Sequence, residues 1–448
     1  MGRIFGRNGM KGLAVTEITC ELAMQTGRAV AHILSGKDSR AKFLIAKDTR
    51  SSSDALESAL CAGICSVGAD AELLGEIPAS ALAWNIREKG ADGGIMITAS
   101  HVNTDYNGIK LFSPKGYRLD DETENEIERL ITESPQEIAP VQLKEYGRVI
   151  RCENAIECYI ERISEIAGAD LKGLKIAVDC ANGCTSTVAE GLFKSLGAEV
   201  VVMGNSPDRT NINTSGSIHI ESLMDFVTEN KCVCGIAFDG SGERCLAVDE
   251  NGSLVDGDII IALCARNMKK HDKLNNNTIL ATQANNLSLI QFAKANDIEV
   301  ITAPVGERSM VQKMLECDCS IGGDPSGHII FPDEMPNADG MLTGIRLLEI
   351  LKKSGETMSS LSAIIEKFPQ VMLNVPIGKK FCEIWKNDRV ITNLIEKFED
   401  ILGGEGRIIV RETGKEPVIR IRVEGRDFSA INDMAIKIAD TIKERTEV

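Results

Sequence analysis

Gly94-Ile95-Met96-Ile97-Thr98-Ala99-Ser100-His101, running on through Asn107-Gly108-Ile109-Lys110, reads as a short apolar strand emptying into a polar loop. That loop carries a serine, a histidine, a glycine and a lysine. A hydroxyl at the end of a strand is held toward a cleft by the scaffold behind it. A neighbouring lysine supplies positive charge where a phosphate needs it. A Ser-His pair in a loop can also do nothing more than satisfy a turn. The segment therefore takes its meaning from the loops elsewhere in the chain.

Around it lie 448 residues, long enough for roughly three or four domains on the usual size relation. With 43% apolar and 26% charged residues the composition is that of a soluble globular protein. A formal charge of -16 argues against nucleic acid and acidic membranes as partners, since phosphate backbones demand basic surface. A small phosphorylated ligand needs only a pocket whose local charge opposes the global one. The 14 cysteines include no paired Cys-x-x-Cys set, and Cys232-Val233-Cys234 and Cys317-Asp318-Cys319 are too closely spaced for one. They read as reduced structural thiols of a cytoplasmic protein. The first residues lack the apolar core of a signal peptide.

Working outward, the pattern divides into three similar mixed α/β units and a smaller C-terminal α+β unit around a central cleft. Residues 1–145 hold a glycine-rich opening from Phe5 to Gly12, a helix from about Thr16 to Leu34, and a strand Phe43-Leu44-Ile45-Ala46. Ser53 or Asp54 is placed to cap the next helix. The acidic run Asp120 to Glu128 reads as a solvated helix face. Residues 153–251 carry a β-α-β pattern through Leu174–Asp179 and Val200–Val202, then a strand at Cys234–Phe238. Residues 252–369 repeat the theme, with a helix over Leu287 to Asn296 and loops holding Val305-Gly306-Glu307-Arg308 and Gly322 to His328. Residues 371–448 show a hairpin flanking Glu412 to Pro417 and a closing helix after Asp427.

A second loop carries chemistry of its own: Asp239-Gly240-Ser241-Gly242-Glu243-Arg244. Alternate residues at a strand end project to one side, so oxygens at 239, 241 and 243 can converge on one cation. Magnesium takes such oxygen ligands, often with a phosphate completing the shell. A glycine-rich turn with a leading Asp accounts for the same six residues.

Thr98-Ala99-Ser100-His101 with Tyr106-Asn107-Gly108-Ile109-Lys110 resembles the active-serine loop of the alpha-D-phosphohexomutases, whose serine is carried as a phosphoserine. Three further loops follow in the family's order. Asp239 to Arg244 is similar to its metal loop, Gly323-Asp324-Pro325-Ser326-Gly327-His328 to its sugar-recognition loop, and Arg411 to Pro417 with Arg420 to its distal phosphate-binding loop. Val178 to Gly183, Gly204 to Asp208 and Cys245 to Gly252 look most like the bacterial branch that acts on glucosamine phosphates.

The resemblance implies that Ser100, His101, Lys110, Lys11 and His328 take part in catalysis, and that Ser100, Asp239, Ser241 and Glu243 hold Mg2+. It assigns Arg244, Asp324 and Ser326 to the sugar, and Arg411, Thr413, Gly414, Lys415 and Arg420 to the distal phosphate. The activity implied is the interconversion of glucosamine 6-phosphate and glucosamine 1-phosphate, primed by a hexosamine bisphosphate, in a monomer or homodimer. Departures fall in every active-site loop: Arg7-Asn8 and Lys11, Val102-Asn103, Ser241 and Glu243, Asp324-Pro325, and Glu412 with Lys415. Fewer carboxylates around the metal imply a weakened magnesium site. The departures leave open a catalytically impaired or specificity-altered paralogue, a phosphomannomutase or phosphoglucomutase, and a phosphatase in which the intermediate leaks.

Overall fold

In the computed structural model, which describes residues 4–6, 9–36, 40–139, 141–168, 170–378, 385–412 and 417–446, the apolar strand Lys42–Lys47 lies inside a six-stranded sheet. It pairs in parallel with Asp70–Glu76 on one side and Gly93–Ile97 on the other. Helices Ser53–Ser66 and Ala79–Glu88 make the crossovers that parallel pairing requires. The chain thus steps to one side of Lys42–Lys47 and then back to the other. Loops at the carboxyl ends of strands that flank such a reversal meet at a crevice, the usual ligand position in open α/β sheets. Those two loops carry Asp48 to Arg50 and Thr98 to His101.

The same reversal recurs twice. In the five-stranded sheet, Lys175–Asp179 pairs in parallel with Glu199–Met203 on one side and with Cys234–Phe238 on the other. The loops after the first and last of these hold Asn182 and Asp239. They approach so closely that a Cβ on Gly183 would lie 2.5 Å from the Gly240 Cα. In the four-stranded sheet, Thr278–Thr282 is flanked by Glu299–Ala303 and Gly322–Gly323, and Asp324 follows the latter. Three sheets therefore present three loops from equivalent positions.

Two compact units emerge. One comprises residues 1–284 and 296–364, the other residues 285–295 and 365–448. The second is built on an antiparallel sheet of Gln370–Pro376, Val418–Gly425 and Gly406–Glu412, with helices Arg389–Leu402 and Phe428–Thr446. Ile419, Ile421, Val423, Ile431, Ile438 and Ile442 form its core. No helix among the described residues is long and apolar enough to cross a membrane.

Several expectations are corrected. The first helix begins at Cys20 rather than Thr16, because Thr19 Oγ1 accepts the Leu22 N–H and fixes the cap there. Ser53 is already inside its helix, whose cap residue Ser52 makes no side-chain capping bond. Gly108 and Lys110 lie on the strand Tyr106–Phe112, antiparallel to Gly93–Ile97, not in the serine loop. The acidic run does start a helix, capped by Asp120 at Asp121–Thr132, yet Glu124 is fully buried beside Arg308 at 2.6 Å. Helix Leu287–Ala295 packs in the second unit through Leu287 N–H to Glu424, rather than with the third sheet. Glu307 and Arg308 form the first turn of helix Glu307–Cys317.

Candidate active site

Ser100 adopts a left-handed backbone conformation, φ 54°, rare for a residue with a Cβ and held only when its surroundings over-determine it. Three side chains supply that hold. Thr98 Oγ1 accepts the Ser100 N–H at 2.8 Å and donates to Asp48 at 2.6 Å. Arg50, 1% exposed, donates to the carbonyls of Ser100 (3.1 Å), Val102 (2.7 Å) and Tyr106 (2.9 Å), and also to that of Asn103. Its Nε meets Asp48 at 2.8 Å. Asn213 Nδ2 donates to the same Ser100 and Val102 carbonyls while its Oδ1 accepts the Gly240 N–H. A single asparagine therefore ties the serine loop to the loop that begins at Asp239.

The hydroxyl so positioned meets a nest of oxygens. Ser100 Oγ lies 2.7 Å from Asp239 Oδ2, 3.2 Å from Ser241 Oγ and 3.3 Å from Glu243 Oε2. Ser241 Oγ lies 2.9 Å from Asp239 Oδ2 and 2.8 Å from Glu243 Oε2. An octahedral magnesium ion, with ligands at about 2.0–2.1 Å, sets neighbouring oxygens about 3 Å apart, so the spacing fits that ion. The charge fits less well. Only two of the four groups are carboxylates, and Lys110 Nζ sits 2.6 Å from both oxygens of Glu243. Burial alone would raise the Glu243 pKa, but the Lys110 ammonium overrides it and holds the carboxyl well below the usual range. No group of three or more His, Cys, Asp or Glu suited to a metal occurs among the described residues.

Beyond the hydroxyl opens a hollow of about 90 Å³, lined by Lys11, His101, Lys110, Arg118, Arg244, Glu307, Asp324 and His328 among others. Four cations line it although the chain as a whole is strongly acidic. Lys11, on the strand Met10–Leu13, has its pKa lowered by burial and by Lys110, Arg244 and Arg50. Burial, then Arg244, pushes His101 down to about 4, which leaves the imidazole neutral near pH 7. Arg244 takes its place through its N–H to Asp239 Oδ1 and a backbone bridge to His328.

The structure brings Ser100, His101, Lys110, Lys11, His328, Asp239, Ser241, Glu243, Arg244 and Asp324 to one place. Ser326 is different. Its N–H donates to Asp324 Oδ1 at 2.9 Å, closing an Asx-type turn, its hydroxyl donates to the same oxygen at 2.5 Å, and it does not line the hollow. Arg411 and Arg420 stand directly opposite each other on the strands Gly406–Glu412 and Val418–Gly425. Thr413, Gly414 and Lys415 lie outside the described residues.

Four contributors were not singled out from sequence as site residues: Arg50, Asn213, Arg118 and Glu307. Arg118 is buried over the Phe112 ring at 5.4 Å, with Nε and Nη2 lacking hydrogen-bond partners. A local signal existed for Arg50, which closely follows the strand Phe43-Leu44-Ile45-Ala46, and for Glu307, which falls in the loop Val305-Gly306-Glu307-Arg308. Asn213 carried only the family likeness of Asn211-Ile212-Asn213, and Arg118 carried none.

Family models match almost end to end. Residues 2–137, 157–252 and 256–368 match the phosphoglucomutase/phosphomannomutase alpha/beta/alpha domains I, II and III, and residues 372–441 match its C-terminal domain. The chain therefore belongs to the phosphoglucomutase/phosphomannomutase family, the alpha-D-phosphohexomutases, and is an isomerase that moves a phosphoryl group within a sugar phosphate. More particularly, it is 42% identical to a phosphoglucosamine mutase of Clostridium novyi over 447 residues, 99% of each chain. A phosphoglucomutase/phosphomannomutase family protein of Burkholderia thailandensis shares the fold at TM-score 0.80 and 22% identity, over 98% of both chains. So does an Aspergillus fumigatus N-acetylphosphoglucosamine mutase solved with GlcNAc-6P and magnesium, at TM-score 0.68 and 16% identity, over 99% of this chain and 96% of that one.

Proposed function

We propose that the protein interconverts glucosamine 6-phosphate and glucosamine 1-phosphate, with Ser100 as the phosphoryl carrier. The observation that carries this is the placement of Ser100 Oγ, 2.7 Å from Asp239 and opening onto a cation-lined hollow. A sugar hydroxyl attacks phosphorus on phosphorylated Ser100, the P–Oγ bond breaks, and the hydroxyl proton passes to a base. The bisphosphorylated sugar turns end for end. Ser100 Oγ then attacks the other phosphate, and the proton returns to the departing sugar oxygen. Catalysis of this type rests on positioning and charge neutralisation.

Lys110 is committed to Glu243, which favours Lys11 as the base. An ammonium destabilised by its surroundings releases its proton more readily, and an arginine there would not release one at all. Arg118 and Arg244 suit the phosphate oxygens, having planar donor forks. Ser100, Asp239, Ser241 and Glu243 would hold magnesium, which when bound supplies positive charge to the phosphoryl oxygens. With one hydroxyl where a third carboxylate would add charge, and with Lys110 on Glu243, that site binds the ion weakly.

Arg411 and Arg420 set two planar donor forks opposite each other on paired strands, a geometry that a phosphate can bridge, and with Thr413, Gly414 and Lys415 they make up the distal phosphate site of this reading. A four-domain division at residues 1–145, 153–251, 252–369 and 371–448 accords with this reading.

The test is turnover of glucosamine 6-phosphate by purified protein with magnesium and glucosamine 1,6-bisphosphate as primer. Ser100→Ala is expected to abolish it, and inactivity of the unaltered protein on glucosamine, glucose and mannose phosphates refutes the reading.

A further inference from the structure

Three of the four carboxylates in or beside the hollow accept several hydrogen bonds each, although Asp324 does so through one oxygen only. Glu243 is held through both oxygens by Lys110. Asp239 meets two hydroxyls and the Arg244 N–H. Asp324 Oδ1 accepts from Ser326 N–H, Ser326 Oγ and His328 N–H. Glu307 differs. Gly306, φ 135°, turns the chain so that Glu307 begins its helix facing the hollow, 7% exposed. Its Oε1 lies 3.4 Å from Ala338 N and 4.0 Å from His328 Nε2, and no hydrogen bond from the described residues reaches Oε2. His328 Nε2 is itself buried without a partner.

A largely desolvated carboxylate with spare acceptor capacity gains from any donor that reaches it. Arg308 is drawn away to Asp121 and Glu124, both at 2.6 Å, while Arg118 lies close enough to feel the Glu307 charge but makes no hydrogen bond to it. The missing partner is a cationic donor that arrives with the substrate. An ammonium group offers three donors and no acceptor, which matches a carboxylate oxygen. A sugar hydroxyl carries no charge and makes the weaker contact.

We propose that Glu307 determines specificity by receiving the ammonium group of a hexosamine phosphate, so that the hollow selects amino sugars over their hydroxyl counterparts. This rests on the phosphohexomutase reading above and deepens it. Phosphate is read by the cations that line the hollow, and the amine by Glu307 beside His328.

The experiment compares kcat/KM for glucosamine 6-phosphate and glucose 6-phosphate in the unaltered protein, E307Q and E307D. Losing a hydrogen bond to a charged group corresponds to a change of roughly 10- to 100-fold. The ratio of the two kcat/KM values is expected to fall by that amount in E307Q and to recover largely in E307D, which keeps the charge. A ratio unmoved in E307Q, with both sugars slowed alike, means that Glu307 merely positions His328 and overturns the proposal. Calorimetry on S100A protein makes the test independent of whether E307Q folds. Glucosamine 6-phosphate is expected to bind at least about tenfold tighter than glucose 6-phosphate or N-acetylglucosamine 6-phosphate, whose nitrogen is uncharged. Equal binding overturns the proposal. Absence of turnover on either sugar in the unaltered protein instead defeats the mutase reading, so the two failures are distinguishable.

Discussion

Replacing Arg50 with methionine removes a buried guanidinium that donates to four carbonyls of the serine loop and to Asp48. Each bond to a charged group is worth about 1.5–3 kcal/mol, but bonds on one side chain do not add. The second cost is the charge left on Asp48, which is fully buried. Breaking a buried pair costs about 3–5 kcal/mol. Here Asp48 keeps three donors: Thr98 Oγ1 at 2.6 Å, Ser53 Oγ at 3.1 Å and the backbone N–H of residue 50 at 3.2 Å. That moderates the penalty, and the expected destabilisation is about 3–5 kcal/mol in total rather than the sum of all bonds.

A kinetic effect is expected alongside the loss of stability. Ser100 holds its left-handed conformation partly through Arg50, and a displacement of about 1 Å at a reacting group costs on the order of 100-fold. Urea unfolding monitored by circular dichroism, together with kcat at saturating substrate, measures both. R50K keeps the charge without the fork and is expected to fall between R50M and the unaltered protein. An R50M protein with an unchanged unfolding midpoint and kcat within about threefold of the parent would refute the clamp, since a ~1 Å displacement alone predicts far more.

Restoring a carboxylate with S241D adds a third negative charge beside Asp239 and Glu243. Mn2+ binding followed by electron paramagnetic resonance should tighten about tenfold or more, as site charge governs affinity for hard cations; unchanged affinity would show that the hydroxyl is not the weak point. K110M strands the buried Glu243 charge and should destabilise the protein by about 3–5 kcal/mol at pH 7. The sign with pH follows from the depressed Glu243 pKa in the native state. Its stabilisation is complete above the unfolded value of 4.5 and fades as pH falls through the lowered folded value. In K110M burial raises the same pKa, so the stability gap between parent and variant should begin to narrow above pH 4.5 and go on narrowing as pH falls toward 2, and a constant gap would exclude the pair as its source.

The chemical types at the site and their place after strands were legible in the chain itself. Strand and loop are local matters. An apolar run such as Phe43 to Ala46 makes a buried strand whatever lies elsewhere, and glycines and polar residues mark where it ends. The nearness of Ser100 to Asp239 came through likeness in the order of four loops, not through any local rule. Where single residues were misjudged, the deciding contact was distant in sequence. Glu124 reads as solvated because its neighbours are acidic, yet Arg308, far along the chain, covers it. Lys110 reads as a free phosphate ligand until Glu243, 133 residues away, takes both faces of its charge. Arg50 looks like an ordinary loop cation until carbonyls of another loop converge on it, and Glu307 reads as a loop residue until the fold sets it at a helix start lining the hollow. Local pattern determined which elements form and which side chains stand at their ends. Only the tertiary structure decided which charges are buried and by whom they are answered, because desolvation and pairing depend on groups that the fold, not the order of residues, brings together.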